Sequence, residues 1–138
     1  MPAVDSYDYA LVRLVPAVER GEFMNIGVIL FCRRKRFLAS RFALEVARIS
    51  SFAPTLTVSQ LQPHLDLIEQ ICAGGRDSGP IGQLSQAERF HWLVAPKSTI
   101  IQPSPVHCGQ CTDAQAALDH LFATLVLVSN AFTPDLEQ

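Results

Sequence analysis

The chain has 138 residues, of which 49% are hydrophobic and 17% charged, and its mean hydropathy is +0.20. This composition excludes an intrinsically disordered protein, because low hydrophobicity and high net charge are both missing. A formal net charge of -2 argues against a protein that is basic overall and coats nucleic acid. We expect a single domain over residues 1–138, ordered from about residue 6 to about residue 130, with a frayed C-terminal tail.

The N-terminal sequence lacks the basic start and the apolar stretch of a secretory signal peptide. No apolar run approaches the roughly 18–20 residues that cross a bilayer. We therefore expect a cytoplasmic protein without a membrane partner, in which the four cysteines are reduced thiols. The sequence predicts no cofactor and leaves the oligomeric state open.

Three predicted strands open the chain. Aromatic and branched residues alternate in the pattern of covered strands over residues 7–15, 23–32 and 37–42. The connection between the first two is short enough for a hairpin. Folding this hairpin symmetrically places Arg13 opposite Asn25. The same register places Leu11 opposite Gly27.

The rest of the chain has mainly helical periodicity. Apolar spacing and capping sequences predict helices over about 44–52, 58–73 and 85–94, and a final helix after Thr112. Pro63 requires the second helix to start late or to kink. Glycines indicate a mobile loop over 74–82, and a fourth strand is expected over 98–102. The predicted class is α+β: a small antiparallel sheet of three N-terminal strands plus a later fourth strand, packed against three to four helices.

The first candidate site surrounds the hairpin. Arg13 interrupts an otherwise apolar strand, and a buried charge must find a partner. Arg20 and Glu22 lie at the predicted tip, and Asn25 follows. These donors and carboxylates could hold an anionic or polar group. The alternative is a structural pair that sets the register of the hairpin.

The second candidate site lies between the last two predicted helices. It combines cations, hydroxyls, an amide and an imidazole in a proline-containing stretch, with candidate residues Arg89, Lys97, Ser98, Gln102, Ser104 and His107. Such groups could bind phosphate or support acid–base chemistry. The alternative is a loop whose side chains cap their own backbone. The sequence contains no phosphate-binding loop, dinucleotide fingerprint or nucleophile elbow.

His107, Cys108 and Cys111 form a candidate metal site. A Cys-x-x-Cys turn can present two thiolates to zinc, and the imidazole could add a third ligand. A structural zinc usually needs a second pair, however, and Cys32 and Cys72 lie on separate predicted elements. Redox chemistry and plain thiols are the alternatives.

The basic run Arg33–Arg36 accounts for most of a charge asymmetry, since residues 1–50 sum to +3 and residues 51–138 to -5. Such a run can bind nucleic acid or a phosphorylated partner, but a solvated turn is the commoner explanation. There is no aromatic ladder or helix-turn-helix pattern, so we do not expect nucleic-acid binding. His64 is most simply an exposed helical residue.

Several sequence blocks resemble a known family. They are Glu19-Arg20-Gly21-Glu22-Phe23, Asn25-Ile26-Gly27-Val28 and Gln102-Pro103-Ser104-Pro105-Val106-His107. In order and spacing they are similar to the uncharacterised bacterial family called domain of unknown function 3037, from about Tyr7 to Val128. The family pattern does not require Cys108 or Cys111, which lowers the weight of the zinc hypothesis. Its members are often encoded beside a HipA-like kinase, so the resemblance implies that kinase as a partner.

Two functions follow as hypotheses. The first is a non-enzymatic binding or accessory module that acts with a partner protein such as a HipA-like kinase. The second is an enzyme acting on a phosphorylated or nucleotide substrate, with His107 as acid–base and Arg20, Arg89 or Lys97 holding the phosphate.

Overall fold

A computed structural model describes residues 3–127, so the predicted frayed tail lies outside the described residues. It contains five strands and five helices in these residues. Their bounds are β1 Asp5–Leu14, β2 Met24–Cys32, β3 Phe37–Phe42, α1 Val46–Phe52, α2 Val58–Ala73, α3 Gly79–Gly82, α4 Gln86–Leu93, β4 Ile101–Pro103, β5 His107–Cys111 and α5 Ala114–Leu125. The α+β class is confirmed, with one strand more than predicted and a short helix inside the predicted 74–82 loop.

The sheet is antiparallel throughout and has the order β3-β2-β1, after which the far edge of β1 pairs with both β4 and β5. Ser104 lies between these two short strands and keeps the chain bonded to β1 there. Its N–H donates to the Leu11 carbonyl at 2.8 Å, and its hydroxyl accepts from the Leu11 N–H at 2.8 Å. A side chain thus supplies one bond of the ladder where the chain moves from β4 to β5.

A bulge in β2 changes the predicted register of the hairpin. Arg13 pairs with Asn25 as predicted, but Leu11 pairs with Val28 and not with Gly27. The cause is one extra β2 residue between these two pairs. Alternation therefore restarts at the bulge: Met24 and Ile26 belong to one core, whereas Val28, Leu30 and Cys32 belong to the other.

Helices cover both faces of the sheet. On one face, α1, α2 and α4 bury a core that includes Val12, Leu14, Ile29, Ile49, Leu61, Leu65 and Phe90. On the other face, α5 packs alone on Val28, Leu30 and Cys32. The capping boxes at Thr57 and Ser85 start α2 and α4, and α2 continues through Pro63. Within residues 3–127 no helix has the length and apolar character needed to span a membrane.

Candidate functional site

The two predicted polar clusters meet at the end of β1. Arg13 is in register with Asn25 on β2 and with Gln102 on β4, and we call these three residues the polar row. The amide of Asn25 donates from Nδ2 to the carbonyl of Leu125 at 3.3 Å. That bond places the Arg13 and Asn25 end of the row beside the C-terminal end of α5.

Arg13 is half-buried, and its guanidinium stacks on an aromatic ring. The centroid of the Phe23 ring lies 3.9 Å from the guanidinium carbon. No carboxylate among residues 3–127 forms an ion pair with Arg13. Its Nε and the Oδ1 of Asn25 are both buried, and neither has a hydrogen-bond partner among residues 3–127. Buried polar groups are nearly always paired, so these two atoms set the polar row apart from the rest of the described sheet.

Arg20 and Glu22 pair with each other at the hairpin tip. Nε of the guanidinium lies 2.8 Å from Oε1 and Nη2 lies 3.2 Å from Oε2, and both side chains are exposed. The hydrogen bond and the opposite charge raise the pKa of Arg20 and lower the pKa of Glu22. No described hydrogen bond or ion pair links this couple to the polar row.

Arg89 is buried, and its donors are taken up by backbone carbonyls. Nη1 donates to the carbonyls of Ile71 and Cys72 at 2.8 Å each, and Nε donates to the carbonyl of Leu84 at 3.0 Å. The side chain thereby satisfies the C-terminal end of α2, where a cation is favoured. Gly74 makes room for it, because a Cβ there would lie 2.5 Å from Nη1. This placement favours a structural role for Arg89.

The two candidate serines differ in burial and in whether the fold already uses their hydroxyl. Ser104 is buried, holds Leu11 as described above and donates its hydroxyl to the carbonyl of Pro105 at 2.8 Å. Ser98 is exposed in the turn before β4. Ser104 is therefore a link in the sheet, whereas Ser98 is free to contact solvent or a partner.

The candidate metal residues form a strand and not a turn. His107 lies opposite Tyr9, with 5.4 Å between ring centroids, and Cys108 donates to Oδ1 of Asp8 at 3.2 Å. That bond raises the pKa of the Cys108 thiol. Cys111 follows three residues later, on the opposite face of the strand, where burial raises its pKa. The two thiols therefore do not converge, and residues 3–127 contain no group of three possible metal ligands.

The residues of the enzyme hypothesis are also spread out. His107 lies opposite Tyr9, five residues before the end of β1, and Arg20 lies beyond that end. Five strand residues span about 16 Å. Arg89 is hydrogen-bonded to carbonyls at the C-terminal end of α2, so its guanidinium is not available to act with His107 or Arg20.

Half of the basic run serves a buried carboxylate that sequence reasoning missed. Arg34 and Lys35 lie 3.3 and 3.5 Å from the oxygens of Asp5, which is only 5% exposed. A buried carboxylate needs such partners. This pairing favours a structural role for these two cations.

A small pocket beside β4 was also missed, and we call it the α2–α4 pocket. Its volume is about 80 Å³, and its lining is mainly apolar, with Leu67 and Ile68 from α2, Trp92 from α4, and Ile29 beneath them. Lys97 and Gln102, both candidate residues, line it as well. Four separate stretches of the chain form this pocket, from β1, β2, α2 and the segment from α4 to β4, so no local motif marks it. The one signal in the sequence is Leu67, a leucine that lies outside the apolar stripe of α2.

Lys97 is held at the edge of the α2–α4 pocket. Its Nζ donates to the carbonyls of Trp92 and Ala95 at 3.1 and 3.3 Å, and lies 4.8 Å from the Trp92 ring centroid. Burial lowers the pKa of this amine. No carboxylate among the described residues pairs with it.

Comparison with known proteins gives one match. The family described as "Protein of unknown function (DUF3037)" matches residues 9–126, a range that includes the polar row, β5 and the α2–α4 pocket. No curated protein and no solved structure matches the chain.

Proposed function

The chain belongs to the DUF3037 family of proteins of unknown function, and from that premise we propose that it is a binding module that recognises a partner protein through the polar row. One observation carries the proposal: Arg13 and Asn25 are paired across two strands, and within the described part of the chain neither the buried Nε of Arg13 nor the buried Oδ1 of Asn25 has a hydrogen-bond partner. A guanidinium donor prefers a carboxylate. An amide oxygen accepts from an N–H. One acidic residue of a partner chain could therefore satisfy both groups, with its carboxylate accepting from Arg13 and its backbone N–H donating to Asn25.

The surroundings of the row favour a macromolecular partner. Phe23, stacked on Arg13, is 46% exposed, and Val18 at the same end of the hairpin is 50% exposed. An arginine beside exposed aromatic and aliphatic surface is the composition typical of interface hot spots. As the partner we propose a HipA-like kinase, because proteins that this chain resembles are often encoded beside one. The enzyme alternative is less favoured, since neither Arg20 nor Arg89 lies beside His107.

The test is a binding measurement with a matched control. The tagged chain is co-expressed with a HipA-like kinase encoded in the same genome, and the affinity of the purified pair is measured by titration calorimetry. Arg13→Met should weaken binding by at least about 2 kcal/mol, or roughly 30-fold, as expected for a hot spot.

Arg41 offers the control, because it also stacks on a phenylalanine but has an ion-pair partner. Its guanidinium lies 4.4 Å from the Phe122 ring centroid, and Nη1 lies 3.0 Å from Oδ1 of Asp119. Arg41→Met should leave the affinity unchanged. Equal affinity of wild type and Arg13→Met would exclude the polar row as the site, and absence of any complex would exclude the kinase. Turnover of a phosphoester that is lost in His107→Ala would establish the enzyme alternative instead.

A further inference from the structure

The size of the α2–α4 pocket limits what it can hold. An apolar cavity of about 150 Å³ takes up a benzene ring. At about 80 Å³, the α2–α4 pocket has room for roughly half of that, the size of a branched aliphatic group. Sites for cofactors and drug-sized ligands are usually about 300–1,000 Å³. The pocket therefore suits one side chain of a larger molecule.

The edge of the pocket adds a charge requirement. Two of the three ammonium protons of Lys97 go to the carbonyls of Trp92 and Ala95, which leaves one donor. Because no described carboxylate pairs with this cation, an incoming anion would meet an uncompensated positive charge. Leu67, which also lines the pocket and is 46% exposed, adds apolar surface that a partner could cover.

The pocket also adjoins the proposed interface. Gln102 lines it and is the β4 member of the polar row. A partner chain seated on the row at one face of β4 would need to pass only the edge of the sheet to reach the pocket at the other. This continuity favours a segment of the same partner over a separate small molecule.

We propose that the α2–α4 pocket receives an aliphatic side chain of the partner protein, and that Lys97 binds the carboxylate of an acidic residue next to it. The inference rests on the proposed function, since it names the element of the partner that is recognised. It assigns the apolar pocket to the aliphatic anchor and the remaining Lys97 donor to the acidic neighbour.

The tryptophan of the pocket allows a direct test, because Trp92 is the only one in the sequence. The full chain is titrated with the blocked peptide acetyl-Gly-Leu-Glu-Gly-amide while tryptophan fluorescence is followed. A saturable change is expected. Peptides with Ala in place of Leu, or Gln in place of Glu, should bind at least about ten-fold more weakly.

Variants of the chain assign the contact. Lys97→Gln should abolish the preference for Glu over Gln in the peptide and retain the preference for Leu over Ala. Arg76→Gln, which removes an exposed cation elsewhere, should keep both preferences. If Lys97→Gln does not fold, the Glu-to-Gln comparison on the wild-type chain tests the same contact.

Three results would overturn the inference: no response to the peptide, equal binding of the Ala peptide, or binding of isovalerate as tight as that of the peptide. The last would make the pocket a site for small branched acids. The kinase titration with Arg13→Met is independent of these readings. A kinase complex without a peptide response refutes only the pocket, and a peptide response without a kinase complex refutes only the kinase.

Discussion

Two arginines that the sequence marks as candidate site residues, Arg89 at the junction of α2 and α4 and Arg13 in the polar row, have different surroundings in the fold. Carbonyls of three residues accept from Arg89, and the fold supplies a glycine to admit it. Arg13 has a phenylalanine ring on one side, and its buried Nε has no acceptor among the residues that the structure describes. The state of the guanidinium donors therefore distinguishes Arg89, which the fold satisfies, from Arg13, the residue that we propose for recognition.

Of the variants that test this comparison, Arg89→Met should have the largest effect on the free energy of unfolding. It leaves the carbonyls of Ile71, Cys72 and Leu84 without that donor in a buried site. A buried acceptor left unsatisfied costs about 1–3 kcal/mol, so the three carbonyls together should cost at least about 3 kcal/mol. Urea unfolding should show this loss, with partial recovery in Arg89→Lys, and a loss below about 1 kcal/mol would mean that the end of α2 is satisfied in another way.

Cys72 gives a second test of the buried region around Arg89, because its thiol is buried there. Burial raises the pKa of this thiol from 9.0 to about 11. The folded state therefore keeps a proton that the unfolded state releases, and stability falls as the pH rises from about 9 to about 11. Between about pH 8 and pH 11, wild type should lose about 2 kcal/mol more than Cys72→Ala. Parallel urea curves for the two proteins at both pH values would contradict this assignment.

Ser104 and Ser98 repeat the contrast at a smaller scale. Ser104→Ala removes the acceptor of the Leu11 N–H inside the sheet, at an expected cost of about 1–3 kcal/mol. Ser98→Ala, at an exposed position, should change stability by less than about 0.5 kcal/mol. Thermal unfolding of both variants measures the difference, and equal melting temperatures would show that water replaces the hydroxyl of Ser104.

Arg13→Met gives the smallest expected effect on stability. A half-buried cation without an anionic partner adds little to folding, so its replacement should leave the free energy of unfolding within about 1 kcal/mol of wild type, or raise it. Urea unfolding beside Arg89→Met makes the comparison direct. If the two losses were similar, Arg13 would be structural, and the reduced kinase affinity could not be attributed to recognition.

Much of the fold was predictable because its signals are local. The hairpin strands, β3, α2 and α5 follow from alternation, helical spacing and capping residues, and the predicted pair Arg13 and Asn25 is present. The pair Leu11 and Gly27 was predicted wrongly, since one extra residue in β2 has no sequence signature. β5 was missed because its cysteines and Gly109 resemble a metal turn, yet the Tyr7 ring lies over that glycine in the sheet.

The candidate sites were harder to predict, because their outcome depends on long-range contacts. Sequence reasoning marked Arg13 and Arg89 alike, and only the positions of distant carbonyls distinguish them. The α2–α4 pocket combines α2, α4 and β4, which adjoin only after folding. Polar composition therefore identified residues of interest, but it did not indicate which of them are already satisfied.

The double pairing along one edge of β1 has a consequence for the order of synthesis. The first three strands are complete at Phe42, whereas β4 begins 59 residues later, at Ile101. At about 5–20 residues per second, a ribosome adds those residues in about 3–12 seconds. During that interval the edge of β1 is an open template for other strands. The nascent chain is thus most exposed to mispairing in the middle of translation, and its last two strands cover this edge of β1 when they pair with it.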